Sequence, residues 1–307
     1  MNERPEQIIR GRLLHNEPMS LHTSLKVGGP ADLYAVPEDA ADLQDLLEWL
    51  RAENIPWLAV GRGYNLLVRD KGIRGAVISL ERFDQIELVN DPGPQPALED
   101  ERTYIRAGAG AENLSVVRFA QRHGLGGIGF ISGIPGTVGG AIRMNAGAYG
   151  KGILEHTQCL TILRDGGVRE FCLSELDYGY RHLKLEAGDI VLAALFRLEP
   201  RAEHDTEQEI RRDLELRRSK HNVGFPSAGS FFKNPPGQAA WRLIDACGLR
   251  GTRVGGAMVS DVHSNFLVNA GGATAADFLS LSARVKNEVF RTSGVTLEEE
   301  VRIVGAE

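Results

Sequence analysis

Cysteine is scarce in this chain of 307 residues, with three in all, at positions 159, 172 and 247. They stand far apart and form no CxxC pair, which excludes a disulfide framework and a zinc ribbon. Each reads as a small buried hydrophobe of a reduced, cytoplasmic protein. None of the eight histidines falls in an HxH or HExxH pattern, so no metal site is expected. No window approaches the roughly 18 consecutive apolar residues of a membrane span. The opening MNERPEQIIRGRLLHNEPMS has no apolar core of a secretory signal. Basic runs interleaved with aromatics are missing too, and the net charge of −6 disfavours a nucleic-acid partner.

What is present is an ordinary globular composition, 42% apolar and 25% charged, long enough for more than one lobe. Up to residue 80 the pattern alternates strand and helix. EDAADLQDLLEWLRAEN places Leu43, Leu46, Leu47 and Leu50 on one face, and PWLAV and GAVISL read as strands. From 81 to about 201 an α+β lobe with a mainly antiparallel sheet is expected. In it AENLSVVRFAQRHG is a helix with Leu114, Val117 and Ala120 on its stripe, CLTILRDGGVREFCL a hairpin around Asp165-Gly166-Gly167, and DIVLAALFRL a buried strand. NDPGPQPALEDE, 90 to 101, reads as an exposed loop. Beyond a highly charged helix at 204–220 comes a third lobe. It holds the helix AAWRLIDAC, the strand HSNFLVN, a helix opened by a Thr274/Asp277 capping box, and a last strand at 300–304.

Glycine is the abundant residue. Positions 124 to 152 hold eleven, where average usage gives about two, and such density suits backbone that approaches a ligand closely. Gly124, Gly126 and Gly129 match G-x-G-x-x-G formally. Yet Gly124 follows a helix, and Gly133, Pro135, Gly136, Gly139 and Gly140 are not expected to continue as one. The first two glycines read as the turn leaving the preceding helix. A second loop, VGRGYNLLV at 60–68, is neither a dinucleotide turn nor a Walker loop. Its successive amides, with Asn65 as a further donor, could form an anion nest. Two such loops could clamp one extended, diphosphate-containing ligand.

The ordered motifs TSLKVGGPADLY, GRGYNLLVRD, GFISGIPGTVGGAIRMNAGAYG, YGYR, GSFFKNP, LIDACGLRG, VSDVHSNFLVN and LEEEV closely resemble the UDP-N-acetylenolpyruvoylglucosamine reductase family, in its second type, over nearly the whole chain from about residue 18. The resemblance implies an α+β protein with a two-lobed FAD-binding fold of the vanillyl-alcohol oxidase type plus a smaller α+β substrate-binding domain. The implied divisions are 1–80 and 81–201 as FAD subdomains, 202–296 as the substrate domain, and 297–307 as a strand returning to the FAD lobes.

The resemblance further implies non-covalent FAD, NADPH as hydride donor and a small-molecule substrate, UDP-N-acetylenolpyruvoylglucosamine, with no nucleic acid, membrane or metal. FAD contacts fall to Gly61, Arg62, Gly63, Tyr64, Asn65 and Leu66. They fall also to Gly129, Ser132, Gly133, Ile134, Pro135, Gly136, Gly139, Gly140, Asn145 and Ala146. The catalytic positions match Arg181, Ser230 and Glu300, and the substrate positions Tyr180, Lys220, Lys233 and Asn234, with Arg217 a further diphosphate candidate. The residue types suit the reaction. Arginine pairs with a carboxylate through a rigid fork, and a protonated or hydrogen-bonded glutamate helps that carboxylate carry enolate-like charge. Serine, a weak acid, can protonate only a strongly basic carbanion.

Three positions depart from the family pattern: His22 for Asn, Tyr64 for Ser, and SKHN at 219–222 for Lys-Gln-Pro. His263 is expected to make a structural hydrogen bond in a strand. The competing reading is an FAD-dependent alcohol oxidase of the same fold, which would tether its flavin through a residue such as His22 or His123. A non-catalytic sugar-nucleotide binder is the other.

Overall fold

The periodic segments fold as elements within two compact units of a computed structural model that describes residues 8–89, 103–148 and 150–307. One unit is built from 1–13, 35–61 and 78–216, the other from 14–34, 62–77 and 217–307. The stretch 90–101 lies outside the described residues.

In the first unit the helix Ala40–Ala52 starts where the Asp39 carboxylate accepts the Asp42 N–H at 3.0 Å. Leu43, Leu46 and Leu50 are fully buried and Leu47 half-buried, as the 3.6-residue period requires. Buried Asp42 accepts the N–H groups of Arg10, Gly11 and Glu38, which ties the N-terminal segment to the helix. The main sheet of this unit is antiparallel. It runs Gly167–Cys172, Thr157–Arg164, Ile190–Pro200, Thr103–Gly108, Ile86–Val89, with Leu125–Gly126 pairing a further edge of Ile190–Pro200. Arg164 pairs with Gly167, so the hairpin turn is Asp165-Gly166, both at positive φ (51° and 75°), the type I′ geometry that matches strand twist. The helix Asn113–Arg122 buries Val116, Val117 and Ala120, while Leu114 is only half-buried. Leu114 packs against the same core as Val117 and Ala120, so the expected stripe faces the core and Val116 widens it.

The glycine segment departs from expectation. Gly129–Gly133 forms a 3₁₀ turn, and Val138–Arg143 is an α-helix in spite of Gly139 and Gly140. A Cβ at Gly139 would lie 2.8 Å from the Ala109 Cβ, and the Gly139 N–H donates to the Ala109 carbonyl at 2.9 Å. Close packing thus outweighs the roughly 1 kcal/mol helix penalty of glycine. Gly124 (φ 65°) does close the preceding helix, but Gly126 pairs with Glu199 as strand.

The second unit has an antiparallel sheet in the order Ser227–Ser230, Phe266–Asn269, Ala257–Val259, Arg253–Val254. It packs with the helices Ala240–Ala246 and Ala275–Ser293 around Phe231, Phe232, Phe278, Leu281, Val285 and Val289. The Thr274/Asp277 capping box opens the long helix as expected, and Asp70 adds both carboxylate oxygens to the Ala275 and Ala276 N–H groups at 2.8 Å. The final strand is Arg302–Val304, parallel to Leu66–Val68, so Glu300 lies just before the strand rather than in it.

The cysteines correct their sequence reading. Only Cys159 is buried, Cys172 and Cys247 are half-buried, and Cys159 faces Cys172 across the hairpin.

Candidate functional site

The loop after strand Trp57–Val60 begins at Gly61, where a Cβ would stand 2.6 Å from the Thr137 Oγ1. Gly61 therefore lies against the turn before helix Val138–Arg143, and a side chain there would push them apart. Gly63 is left-handed (φ 64°), and its carbonyl accepts the Ser24 N–H. Arg62 and Tyr64 are exposed and Leu66 is buried. Asn65 is not the free donor expected of a nest: its Nδ2 donates to the Glu300 carbonyl at 3.0 Å, and its own carbonyl accepts the Arg302 N–H at 3.1 Å. Burial pulls the Arg217 guanidinium below its ordinary value, and Tyr64 opposes that effect.

In the second glycine segment, buried Asn113 clamps the loop. Its Nδ2 donates to the Ile134 carbonyl at 3.0 Å and its N–H to the Gly136 carbonyl, on either side of Pro135. The Ser132 Oγ is buried and meets no hydrogen-bond partner among the described residues. A buried hydroxyl without a partner costs about 1–3 kcal/mol, so a polar ligand atom is its natural complement. Gly133 and Gly140 carry no side chain on either side of this stretch, and Ala146 accepts the Ile153 N–H.

Asn145, at φ 39°, knits the end of this segment to the arginine turn. Its Nδ2 donates to the Gly179 carbonyl at 2.9 Å, its Oδ1 accepts the Leu154 N–H at 3.3 Å, and its carbonyl accepts Arg181 Nη1 at 3.4 Å. Arg181 Nη2 donates to the Gly147 carbonyl at 3.1 Å. Arg181 itself is left-handed (φ 55°), a conformation that costs a non-glycine residue backbone energy and gathers at functional sites. Tyr180 beside it is 62% exposed, with the guanidinium carbon 5.2 Å from its ring centre. These residues belong to the first unit.

Ser230 and Glu300 belong to the second unit, where main-chain hydrogen bonds between 231–233 and 298–300 bring their segments together. Ser230 ends Ser227–Ser230. The Glu300 N–H donates to the Phe231 carbonyl at 2.8 Å, while Phe232 bridges Glu299. With Asn65 on its carbonyl, Glu300 has both sides of its main chain held. The neighbouring glutamates are anchored elsewhere: Glu298 pairs with Lys233, and Glu299 with Lys286 and Ser282. Burial pushes the Glu299 carboxyl up, but Lys286 and Ser282 together hold it below its usual value. On the other side of Ser230, buried Asn265 brackets Phe232. Its Oδ1 accepts the Phe232 N–H at 3.0 Å and its Nδ2 donates to the Phe232 carbonyl at 2.8 Å. Sequence reasoning had no role for Asn265; it sits inside the quoted VSDVHSNFLVN, and its burial is what marks it.

Of the expected substrate contacts, Lys233 is ion-paired with Glu298, and the Asn234 Oδ1 accepts the Ala240 N–H at 3.0 Å at the start of a helix. Lys220 lies on helix Glu203–His221, and its side chain is outside the described residues. His263 is in the turn before Phe266–Asn269, not in a strand. Its N–H reaches the Ser260 Oγ at 3.3 Å and its ring packs 4.6 Å from Phe266. His22 contacts Glu17 at 2.8 Å and stacks on Tyr34, and His123 contacts the Phe119 carbonyl, so both rings have local partners.

Comparison with known proteins places these features. The family profile described as "UDP-N-acetylenolpyruvoylglucosamine reductase, C-terminal domain" matches residues 220–304, and that described as "FAD binding domain" matches 31–170. The chain is 72% identical to UDP-N-acetylenolpyruvoylglucosamine reductase of Pelobacter propionicus over 97% of its own length and 98% of the relative's. It is 51% identical to the Geobacter sulfurreducens protein of that name, over 99% and 98%. Among solved structures it matches UDP-N-acetylenolpyruvylglucosamine reductase (MurB) from Thermus caldophilus with TM-score 0.78 and 34% identity, covering 96% of this chain and 99% of that one. The fold is thus an α+β FAD-binding fold with a smaller α+β domain, as in that reductase, and the cofactor is FAD. No helix among the described residues is long and apolar enough to cross a membrane, and no cluster of metal-ligating side chains occurs among them.

Proposed function

Because the chain belongs to the UDP-N-acetylenolpyruvoylglucosamine reductase family, we propose that it is an FAD-dependent oxidoreductase that reduces UDP-N-acetylenolpyruvoylglucosamine to UDP-N-acetylmuramate with NADPH, in bacterial peptidoglycan precursor synthesis. FAD, when bound, supplies the hydride carrier between NADPH and the vinyl carbon of the substrate. The residues fit it: the partnerless buried hydroxyl of Ser132 suits a polar atom of the cofactor. The loop 61–66 and the segment 129–146 are the parts that would hold it.

Arg181 takes the substrate carboxylate. Two of its nitrogens donate to the carbonyls of Asn145 and Gly147, which sets the plane of the guanidinium whose fork geometry matches a carboxylate. Glu300 supports the same carboxylate as negative charge builds on the adjoining carbon, and Ser230 donates the proton that this carbon takes up. A serine hydroxyl is competent here because a carbanion α to a carboxylate is a far stronger base than the usual leaving group. The observation that carries the reading is the main-chain clamp from Asn65 and Phe231 that holds Glu300 beside the Ser230 strand. Anaerobic half-reactions of Ser230→Ala test it. NADPH should bleach the flavin at the wild-type rate, while reoxidation by the enolpyruvyl substrate slows about 10²–10⁴-fold, the usual worth of a positioned proton donor. Equal loss in both halves would remove the donor role from Ser230.

A further inference from the structure

Two thiols that no step of the proposed reaction uses face each other in the hairpin of the first unit. Cys159 of Thr157–Arg164 and Cys172 of Gly167–Cys172 are direct cross-strand partners, and their Sγ atoms are 3.3 Å apart. Opposed residues of an antiparallel pair have Cα atoms about 4.5 or 5.5 Å apart, and both spacings fall inside the range of about 4.4–6.8 Å that a disulfide spans. The strands need not move to close the bond. The register is held by the two-residue turn at Asp165-Gly166 and by the ladder from Leu160–Phe171 to Arg164–Gly167. We propose that Cys159 and Cys172 form a reversible cross-strand disulfide, a dithiol–disulfide site that exchanges with low-molecular-weight disulfides such as glutathione disulfide.

The two cysteines have unequal roles. Cys172 is half-buried at the end of its strand and is the one an external disulfide reaches, whereas Cys159 is 5% exposed. Burial, with the neighbouring Cys172 sulfur, pushes the Cys159 thiol up to about 12, so Cys159 is the resolving partner rather than the attacking one. The Cys172 thiolate attacks one sulfur of glutathione disulfide and releases glutathione thiolate. Cys159 then gives up its proton and attacks the Cys172 sulfur, which expels the second glutathione. Two electrons leave the protein pair, two thiols become one disulfide, and the two glutathione thiolates take up the two protons. Reduction in the reverse sense must expel Cys159, a poor leaving group, so the closed form reopens slowly. From Cys172 the chain runs directly through the turn Leu173–Glu175, where Glu175 accepts the Cys172 N–H at 2.7 Å, to the strand before Arg181. The closed form therefore tethers the start of the arginine-bearing segment.

Cys247, whose Sγ donates to the Glu288 carbonyl at 3.6 Å in the second unit, is an internal control. The test is to incubate full-length, flavin-loaded protein with glutathione disulfide, quench in acid, denature, and count thiols with a chromogenic disulfide, followed by peptide mapping. The count should fall from three to one, with one linked peptide pair carrying Cys159 and Cys172, and dithiothreitol should restore three. Cys247→Ser should still lose two thiols, and Cys172→Ser should form no intramolecular link. Three thiols remaining after oxidation, a stable glutathione adduct on Cys172 with Cys159 still free, or a link that involves Cys247 would each overturn the proposal. Wild-type protein alone decides it, so a poorly folding variant does not blunt the result.

Discussion

Asn265→Ala isolates the bracket that sets the Ser230 strand against the Glu300 segment. The native amide satisfies both main-chain groups of Phe232, at 3.0 and 2.8 Å, and both residues are buried, 2% and 1% exposed. Truncation leaves a buried N–H and a buried C=O without partners, at about 1–3 kcal/mol each, so a loss of roughly 2–6 kcal/mol is expected. That is a large share of the ~5–15 kcal/mol that holds a typical domain together. Asn265→Asp keeps the acceptor but loses the donor and buries a charge, and should be no better. Because Phe231 holds Glu300 and Phe232 bridges Glu299, the same change should slow flavin reoxidation by the enolpyruvyl substrate. A misplacement worth 1.4 kcal/mol in the transition state already gives a factor of about ten. Urea unfolding followed by fluorescence measures the first effect, and anaerobic stopped-flow of each half-reaction the second. A stability change below about 0.5 kcal/mol, or equal slowing of NADPH oxidation and substrate reduction, would refute the assignment of Asn265 as a positioning residue.

Other parts of the molecule make separate claims. Gly139→Ala should cost about 1–3 kcal/mol through the 2.8 Å approach to Ala109, and purified protein should carry less flavin per chain by absorbance. Thr274→Ala should lower stability by about 1 kcal/mol, read by thermal denaturation, because the helix Ala275–Ser293 loses its cap. Asp277 is held below the ordinary carboxylate value of 3.8, mainly by the Thr274 N–H with help from Gly256. A depressed folded value means its stabilising effect is complete above 3.8 and fades as pH falls through the folded value. Asp277→Asn should therefore flatten stability against pH only in that acid window. Arg164→Ala leaves the Asp189 carboxylate, whose side chain is 1% exposed, with the Glu186 N–H at 2.9 Å but without the guanidinium that binds it through two nitrogens at 2.8 and 2.5 Å. A loss of about 3–5 kcal/mol is expected, with partial recovery when both partners are replaced by apolar residues of similar volume.

Much of the fold was legible in the chain because helices, caps and tight turns are settled by neighbours a few positions away. The leucine period of Ala40–Ala52, the Thr274/Asp277 box and the hairpin at Asp165-Gly166 are all interactions of that range. The cysteine pair was legible in principle as well: counting outward from a two-residue turn at 165–166 sets 159 against 172, but a turn drawn to include Gly167 leaves the register open. The ordered motifs pointed to Arg181, Ser230 and Glu300, yet they carried no information on what holds those residues. Asn65 reaches the Glu300 carbonyl across 235 positions, Asn145 reaches Gly179 across 34, and Asn265 reaches Phe232 across 33. An asparagine reads the same in sequence whether it faces water, a ligand or a buried carbonyl. Its partner is decided only when strands from remote parts of the chain pair and the apolar core closes, because burial is what makes an unmet hydrogen bond costly. The same holds for the helix through Gly139 and Gly140, which local propensity disfavours and only the approach of Ala109 requires.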